Sequence, residues 1–344
     1  LLGRSGLRVS ELCLGTMTFG EEWGWGASRQ ESRKVYDAFR EAGGNFIDTA
    51  NKYTEGSSET YLGEFMAAER EAVVLATKYT LSMNPDDPNA SGNHRKNLVQ
   101  SVEASLKRLK TDYIDLLWVH AWDFLTPFEE IMRALDDLVR RGKILYVGVS
   151  DAPAWEISRS NTLAELRGWT PFVGLQIQYS LVERTAEREL LPMARAMDIG
   201  VTAWSPLGGG VLTGKYKTEQ NDAKRYDGSS PFSDYFLSRR NLAIAQSVET
   251  VARALGKSPS QVALNWLIGR RDGGVLIPIV GARTQEHLQD NLGCLDFSLP
   301  PEQRDELDRI SAVEPGFPHD FLELEPVKAL VYGDRLPEID DHRK

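Results

Sequence analysis

The stretch IDLLWVH, Ile114–His120, decides the fold class of this 344-residue chain. Its apolar residues fall on both parities, as in a parallel strand that is buried on both faces. A helical pattern follows at Phe128–Arg140, with Ile131 and Leu135 one turn apart, and Gly142 ends it. The stretch is therefore read as one strand–helix unit of an α/β protein.

Seven further strands are predicted on the same grounds, with amphipathic helices between them. The other candidate strands are Leu12–Gly15, Phe46–Asp48, Val73–Thr77, Leu145–Ser150, Leu175–Gln178, Val201–Trp204 and Val275–Pro278. The clearest other helices are Glu31–Ala42, Asn97–Leu109 and Leu242–Leu255. Eight strand–helix units predict a (β/α)8 TIM barrel. A doubly wound open sheet is the alternative, but no Gly-x-Gly-x-x-Gly follows the first strand.

Three segments fall outside the repeat. Leu1–Val9 predicts a small N-terminal hairpin that turns at residues 4–6 and caps the barrel floor. Gly208–Ser238, after the seventh strand, is too long for a simple loop, and such loops are usually functional or disordered. The Pro- and acid-rich tail, Glu314–Lys344, is expected to wrap over the surface or to be partly mobile. No linker divides the chain, so we expect a single domain over residues 1–344.

Composition excludes several classes of protein. The chain is 41% hydrophobic and 26% charged, which is typical of globular proteins. Its net charge of -10, without a long basic run, argues against a nucleic-acid binder. We expect no membrane span, since no run of about 18 apolar residues is present. The two cysteines, with Cys13 in an apolar strand and Cys294 far away, and the lack of a visible secretory leader predict a cytoplasmic location.

Four reactive side chains follow three adjacent predicted strands. Asp48 ends the second strand and Tyr53 lies in the loop after it, while Lys78 follows the third strand and His120 ends the fourth. Taken singly, each has an ordinary explanation as a cap, a packing residue, a solvated lysine or a core histidine. Because the carboxyl ends of barrel strands open on one face, where active sites lie, the four together predict a catalytic set.

The four residue types suit the reduction of a carbonyl group. A free tyrosine, with a pKa of about 10, holds its proton too tightly for easy transfer at neutral pH. An ammonium at Lys78 would lower the pKa of Tyr53, and Asp48 would hold Lys78 charged and in place. His120 would orient and polarise the carbonyl oxygen. The set predicts an oxidoreductase that reduces an aldehyde or ketone, with Tyr53 as general acid.

The chain resembles the aldo-keto reductase superfamily over nearly its whole length. The matching segments are Leu14–Gly20, Asp48–Ala50 with Tyr53, Gly56–Glu59, Ala76–Lys78, His120, Gly148–Ser150, Gln176–Ser180 and Ser205–Gly208. The resemblance implies a (β/α)8 barrel that binds extended NADP(H) without a Rossmann fold. It also implies the four catalytic roles given above.

The resemblance further implies where the cofactor binds. In the list that follows, the residues up to Trp204 would lie near the nicotinamide end. The long segment after strand seven would bind the pyrophosphate. The residues near the end of strand eight would bind the adenine and its 2′-phosphate. The implied cofactor residues are Gly15, Thr16, Met17, Asp48, Ser150, Asp151, Gln176, Trp204, Ser205, Pro206, Leu207, Gly209, Leu212, Gly214, Lys215, Gly281, Arg283, His287, Asp290 and Asn291. The long segment would then cover the cofactor as a belt.

Two departures from the family pattern affect the cofactor. Asp151 stands where the family often has Asn, and a carboxylate cannot donate to the carboxamide oxygen. Ile279 and Val280 stand where many members place Lys-Ser for the 2′-phosphate. That leaves Arg283 as the candidate phosphate ligand, because a guanidinium grips phosphate well. NADP(H) is expected to be preferred, with NAD(H) left open.

Aromatic residues surround the predicted mouth of the barrel. They are Phe19, Trp23, Trp25, Trp122 and Phe124. Either they anchor loops, or they form a wide apolar pocket for a bulky or aromatic carbonyl substrate. The sequence leaves the physiological substrate and the oligomeric state open.

Two rival functions have some basis in the sequence. Some superfamily members resemble regulatory subunits that bind the cofactor and a partner protein and turn over slowly, and the four-residue set is compatible with that role. A metal-dependent barrel hydrolase would need clustered histidine and acidic ligands. The five histidines (His94, His120, His287, His319 and His342) are scattered, so no metal site is predicted.

Overall fold

The computed structural model describes residues 1–217, 233–270 and 274–340. In it, eight parallel strands close into a barrel in chain order, with the last strand paired to the first. The strands are β1 (Cys13–Gly15), β2 (Phe46–Asp48), β3 (Val74–Tyr79), β4 (Ile114–Val119), β5 (Ile144–Ser150), β6 (Phe172–Gln178), β7 (Gly200–Trp204) and β8 (Leu276–Gly281). The predicted (β/α)8 barrel is confirmed.

Helices follow the strands and cover the outside of the barrel. They are α1 (Arg29–Glu41), α2 (Ser57–Phe65), α3 (Arg95–Leu109), α4 (Phe128–Arg140), α5 (Ala154–Arg167), α6 (Leu190–Ala196), α7 (Ser233–Phe236), α8 (Arg239–Leu255), α9 (Pro259–Gly269), α10 (Gln285–Leu292), α11 (Pro301–Ser311), α12 (His319–Leu322) and α13 (Glu325–Tyr332). In α4, the predicted apolar residues Ile131, Leu135 and Leu138 form the buried face. Among the described residues, no helix has the length and apolar character needed to cross a bilayer.

The barrel interior explains why β6 begins three residues earlier than predicted. Trp118 of β4 is fully buried and fills the space beside Gly148 and Gly174. A Cβ on Gly174 would lie 2.8 Å from the indole of Trp118, so only glycine fits this point of β6. Glycine weakens the strand pattern in the sequence, and the prediction therefore missed the first part of β6.

The N-terminal residues cap the barrel floor, but not as the predicted hairpin. Leu2 is fully buried, and its amide donates to the carbonyl of Leu7 at 3.0 Å. A Cβ on Gly3 would lie 2.5 Å from the amide nitrogen of Gly200, at the start of β7. Residues 1–9 form a turn and pair with no strand among the described residues. These contacts place Leu2 in the barrel core and Gly3 against the start of β7.

The segment after β7 and the tail are both partly described. A 3₁₀ turn at Gly208–Thr213 follows β7, and α7 precedes α8. The rest of the expected belt, residues 218–232, lies outside the described residues. In the tail, the carbonyl of Glu314 accepts from Arg188 at 2.9 Å, and His319 bonds Glu189 at 3.0 Å. This part of the tail thus lies against the chain that leads into α6.

Candidate active site

The ammonium of Lys78 is the centre of the candidate site. Asp48 pairs with Ala76 in the register between β2 and β3, so Lys78, two residues further, lies on the same face as Ala76. Its Nζ donates to Asp48 Oδ2 at 2.5 Å, to the Thr49 carbonyl at 2.8 Å and to Tyr53 OH at 2.9 Å. The Lys78 side chain is completely buried, and these three acceptors match its three donors. The buried charge is thereby compensated.

The second oxygen of Asp48 is also bound. Gln176 of β6 donates its side-chain amide to Asp48 Oδ1 at 3.0 Å. The sequence assigned Gln176 to the cofactor alone, and nothing in its spacing from Asp48 indicates this contact. The Asp48 carboxylate is therefore held from two directions, by Lys78 and by Gln176.

His120 faces Tyr53. The rings of Tyr53 and His120 are nearly perpendicular, with centroids 5.9 Å apart. The Nδ1 atom of His120 is buried and has no hydrogen-bond partner among the described residues. Burial, and then the positive charge of Lys78, hold the pKa of His120 well below its usual value. The imidazole is therefore neutral at pH 7, as a group that bonds a carbonyl oxygen should be.

Burial reverses the expected direction of the pKa shift at Tyr53. Loss of hydration raises the pKa of the phenol, and this effect outweighs the attraction to Lys78, which lowers it. At Lys78, burial lowers the pKa of the ammonium, but Asp48 and Tyr53 more than offset it and the pKa is raised. The effect expected of Lys78 on Tyr53 is present, but the expected net lowering is wrong. In this state both groups carry their protons at neutral pH.

The predicted aromatic mouth divides into two groups. Phe19 is fully buried and packs against Phe65 at 6.3 Å between ring centroids, and Trp122 is also enclosed in the core. Both rings belong to the buried core, and the amide of Trp122 donates to the carbonyl of Asp151 at 3.4 Å. The ring of Trp23 packs edge-on against Tyr53, with centroids 6.4 Å apart. It also packs against the ring of Trp25 in a tilted arrangement, with centroids 5.7 Å apart.

The predicted nicotinamide end lies at the carboxyl ends of β5, β6 and β7. Ser150 and Gln176 are buried there, side by side in the register of the two strands. Asp151 follows with a left-handed backbone, φ 45°, and accepts from the indole of Trp204 at 3.1 Å. The carboxylate that replaces the usual Asn is therefore engaged by the ring expected to lie against the nicotinamide. Loss of hydration raises the pKa of Asp151, against the effects of Trp204 and Lys78.

Of the residues predicted after β1, Thr16 has a structural role. Its hydroxyl donates to the backbone carbonyl of Asp48 at 3.0 Å, and Ser58 donates to Thr16. Thr16 is fully buried, whereas Met17 beside it is half-buried. A Cβ on Gly15 would lie 2.7 Å from the side chain of Ile279, so β1 and β8 approach closely there.

The predicted pyrophosphate residues form a compact turn. Pro206 and Leu212 are buried within it. Gly209 and Gly210 have φ values of 63° and 96°, which favour glycine, and the amide of Gly210 donates to the Leu207 carbonyl at 2.9 Å, so these glycines shape the turn. Ser205, Leu207, Gly214 and Lys215 lie in the same stretch and are not fully buried.

The predicted adenine residues lie around the start of α10. Arg283 precedes Thr284, which caps the helix and accepts from the amide of His287. Gly281 ends β8, and its carbonyl accepts weakly from Asn291 at 3.5 Å. Arg283 and His287 are thus brought together beside a helix N-terminus, where anions bind.

Asp290 points elsewhere. Its carboxylate accepts from Ser258 at 2.9 Å and from Gln261 at 3.2 Å, at the capped start of α9. The structure therefore gives Asp290 a role in packing α10 against α9, which the sequence did not predict.

Sequence reasoning missed a second group beside the catalytic set. A depression of about 420 Å³ opens at the carboxyl ends of β5, β6 and β7. The described residues that line it are Phe124, Asp151, Ala152, Pro153, Ile177, Gln178, Glu183, Thr185, Ala186, Leu190, Trp204 and Tyr235. Of these, only Phe124 was predicted as a substrate residue. Tyr235 lies near the end of the long segment after β7, and no spacing in the sequence brings it to β6.

The described residues fit a nicotinamide dinucleotide. Hydroxyl and amide groups lie at the ends of β5 and β6, an indole follows at β7, a glycine-rich turn comes after it, and a guanidinium precedes α10. Together with the buried Lys78–Asp48 pair and Tyr53, this arrangement defines an oxidoreductase that interconverts carbonyl and alcohol groups.

Comparison with known proteins agrees with that class. The sequence profile of the Aldo/keto reductase family matches residues 11–312. A norsolorinic acid reductase of Aspergillus flavus is 37% identical over 339 residues, which cover 96% of this chain and 84% of that protein. An NADP(+) aryl-alcohol dehydrogenase of Phanerodontia chrysosporium is also 37% identical, over 91% of this chain and 86% of that protein. The chain belongs to the aldo/keto reductase family, whose members use nicotinamide cofactors.

Proposed function

We propose that this protein reduces an aryl aldehyde or ketone to the alcohol with NADPH, and that Tyr53 delivers the proton. The observation that carries the proposal is the position of Tyr53 OH, 2.9 Å from the buried Lys78 ammonium and in a ring perpendicular to His120. A substrate carbonyl placed between the phenol and the imidazole would meet a proton donor and a second polar group.

Each residue of the set has one task. A bound nicotinamide would supply the hydride. Tyr53 gives its proton to the substrate oxygen, and Lys78 stabilises the negative charge that the phenol oxygen then acquires. Asp48 keeps Lys78 charged and fixed. The neutral His120 orients the carbonyl.

Two features support an aromatic substrate. Trp23, Trp25 and Phe124 leave ring surface at or near the mouth, and flat apolar surfaces suit a flat apolar ligand. The two relatives above are named for norsolorinic acid and for aryl alcohols, and the second name supports an aryl substrate directly. Arg283 beside the α10 N-terminus supports NADP(H), with NAD(H) as the alternative cofactor.

The test is the variant Tyr53→Phe, which removes only the phenolic oxygen. We expect carbonyl reduction to fall by about two to four orders of magnitude, because a positioned general acid contributes that much. NADPH affinity should persist, measured by quenching of protein fluorescence. Tyr61→Phe is the matched control, since Tyr61 packs against Phe65 away from the set.

Retention of near-normal turnover by the Tyr53→Phe enzyme would remove Tyr53 from its role. If the unaltered protein bound NADPH but oxidised none with any of a panel of aryl aldehydes and ketones, the slow regulatory subunit would be the better description.

We also infer a cytoplasmic location. Cys13 and Cys294 are free and buried. Burial raises the pKa of the Cys294 thiol to about 12, which leaves the thiol unreactive. Two free, buried thiols are typical of a protein from a reducing compartment.

A further inference from the structure

We propose that the depression at the carboxyl ends of β5, β6 and β7 selects aryl carbonyl substrates by charge. It accepts neutral or cationic rings and rejects rings that carry a carboxylate, and Glu183 is the residue that determines this selectivity. The inference rests on the proposed function, because it concerns the part of the aryl substrate that lies furthest from Tyr53.

The shape and lining of the depression suit a flat ring. Its volume of about 420 Å³ lies within the range of small-molecule sites. Phe124 and Tyr235 leave 66% and 51% of their surface exposed although both line a concave region. An aromatic ligand would cover these rings and remove apolar surface from water. Asp151 and Trp204 form the side where the nicotinamide is expected, and the charge of Asp151 affects the pKa of Tyr53, so the depression borders the predicted catalytic set.

The charge in the depression has one sign. Among the described residues that line it, Asp151 and Glu183 carry the only ionisable charges, and both are acidic. Asp151 is engaged by the Trp204 indole and is attracted by Lys78. Glu183 lies further out and is the negative group that the distal end of a ligand would meet.

Hydrogen bonds hold Glu183 in its charged form. Its carboxylate accepts from the amide of Thr185 at 2.9 Å, from the Thr185 hydroxyl, and from Tyr235 OH at 2.8 Å. Burial raises the pKa of Glu183, but these donors outweigh it and the pKa is lowered. Burial and the same carboxylate together raise the pKa of Tyr235 to about 12. The phenol therefore keeps its proton and donates it to Glu183 in the hydrogen bond.

A ligand carboxylate would find no positive partner in the described lining. The Lys78 ammonium is completely buried and uses all three donors within the catalytic set. Arg240 attracts Glu183, but its guanidinium is directed to the carbonyls of Val182 and Ser311, behind the depression. A carboxylate in this place would lose hydration and face a like charge, whereas a neutral ring would meet neither cost.

The test uses three aldehydes of similar shape: 4-formylphenylacetate, 4-formylphenylacetamide and 4-(trimethylammoniomethyl)benzaldehyde. A methylene separates the terminal group from the ring in each, which weakens its electronic effect on the aldehyde, and the rate of each aldehyde with borohydride corrects for the effect that remains. We expect kcat/KM for the amide to exceed that for the acid by about tenfold or more at low salt, and the cation to equal or exceed the amide. The gap should narrow as salt screens the charges.

The variant Glu183→Gln keeps the shape of the side chain and its ability to bond Tyr235. In this variant, kcat/KM for the amide should exceed kcat/KM for the acid by about threefold or less, since one of the two facing charges is gone. Glu189→Gln is the matched control, because Glu189 lies six residues along the same segment, outside the depression and paired with His319. It should leave the ratio unchanged.

Equal kcat/KM for acid, amide and cation in the unaltered protein would overturn the proposal. A folded Glu183→Gln protein with an unchanged ratio would overturn the role of Glu183. If that variant does not fold, the order of the three aldehydes and its salt dependence still decide the question. If none of the aldehydes is reduced, the proposed function fails instead, and fluorescence titration of the NADPH-loaded protein with acid and amide tests the selectivity separately.

Discussion

Gln176 of β6 reaches across the barrel interior and donates its side-chain amide to Asp48 of β2 at 3.0 Å. The two strands are not neighbours in the barrel. Asp48 raises the pKa of Lys78, so the contact joins the residue expected at the nicotinamide to the buried ion pair. Each Asp48 oxygen is thereby bound by one side chain, and the carboxylate cannot rotate away from Lys78 without breaking a bond.

Replacing Gln176 by Met should therefore impair catalysis as well as cofactor binding. The variant keeps the volume but leaves Asp48 Oδ1 buried without this donor, at a cost of about 1–3 kcal/mol. We expect single-turnover reduction at saturating NADPH to slow by about tenfold, as a shift of about 1.4 kcal/mol would give. An unchanged single-turnover rate with weakened NADPH binding would show that Gln176 serves the cofactor alone.

The direction of the Tyr53 shift predicts the pH profile of reduction. Because burial raises the pKa of Tyr53 above its usual value of about 10, the phenol keeps its proton through neutral pH. The pKa of His120 lies well below its usual value of about 6.5, so the imidazole stays neutral over the same range. We expect kcat/KM for reduction to be flat from about pH 6.5 to 9 and to fall only as Tyr53 ionises at higher pH.

The check is a profile of kcat/KM for one neutral aryl aldehyde, with NADPH saturating and ionic strength held constant. A falling limb centred between about pH 7 and 8 would mean that the attraction of Lys78 outweighs burial after all. The Tyr53→Phe enzyme should lack the falling limb, which identifies the titrating group.

The barrel and the proximity of Asp48, Tyr53, Lys78 and His120 were predictable because they depend on local signals. Each strand is a short apolar run, and the carboxyl ends of parallel strands meet at one face whatever the loops do. Asp48, Lys78 and His120 sit at or beside such ends, so their meeting followed from the chain order. The sign of the Tyr53 shift did not follow, because it depends on how much water the folded site excludes.

The depression was not predictable for a related reason. Gln178 and Glu183 meet Tyr235 through tertiary contacts that bridge more than 50 positions of the chain. Likewise, Phe19 and Trp122 share the apolar character of Trp23, and only the packing decides which rings fill the core and which face the mouth. The residue type shows that an aromatic ring must be accommodated, but not whether the ring lies in the core or at the mouth.

Arg283 should distinguish the two nicotinamide cofactors. A guanidinium next to the α10 N-terminus would bond the 2′-phosphate of NADPH, which NADH lacks. Arg283→Ala should weaken NADPH binding by about 10- to 100-fold, equivalent to roughly 1.5–3 kcal/mol for a charge-assisted bond. NADH binding should change little. Fluorescence titration of both cofactors, with Arg253→Ala on the exposed side of α8 as control, measures this; equal losses would refute the assignment.

The end of α3 offers a gain in stability away from the site. Lys110 closes the helix in the left-handed region, φ 52° and ψ 45°, where a side chain is strained and glycine is not. Lys110→Gly should raise the free energy of unfolding by about 0.5–1 kcal/mol. Its ion pair with Glu64, 3.6 Å long and largely exposed, contributes little.

Lys110→Ala separates the two effects, because it removes the same ion pair but keeps a Cβ in the left-handed region. Urea unfolding of the three proteins, followed by tryptophan fluorescence, should rank the Lys110→Gly variant above the unaltered protein and the Lys110→Ala variant at or below it. A glycine variant no more stable than the alanine variant would show that the backbone at Lys110 stores no strain. Carbonyl reduction should be the same in all three, since Lys110 lies at the carboxyl end of α3 and the catalytic set lies at the carboxyl ends of the strands.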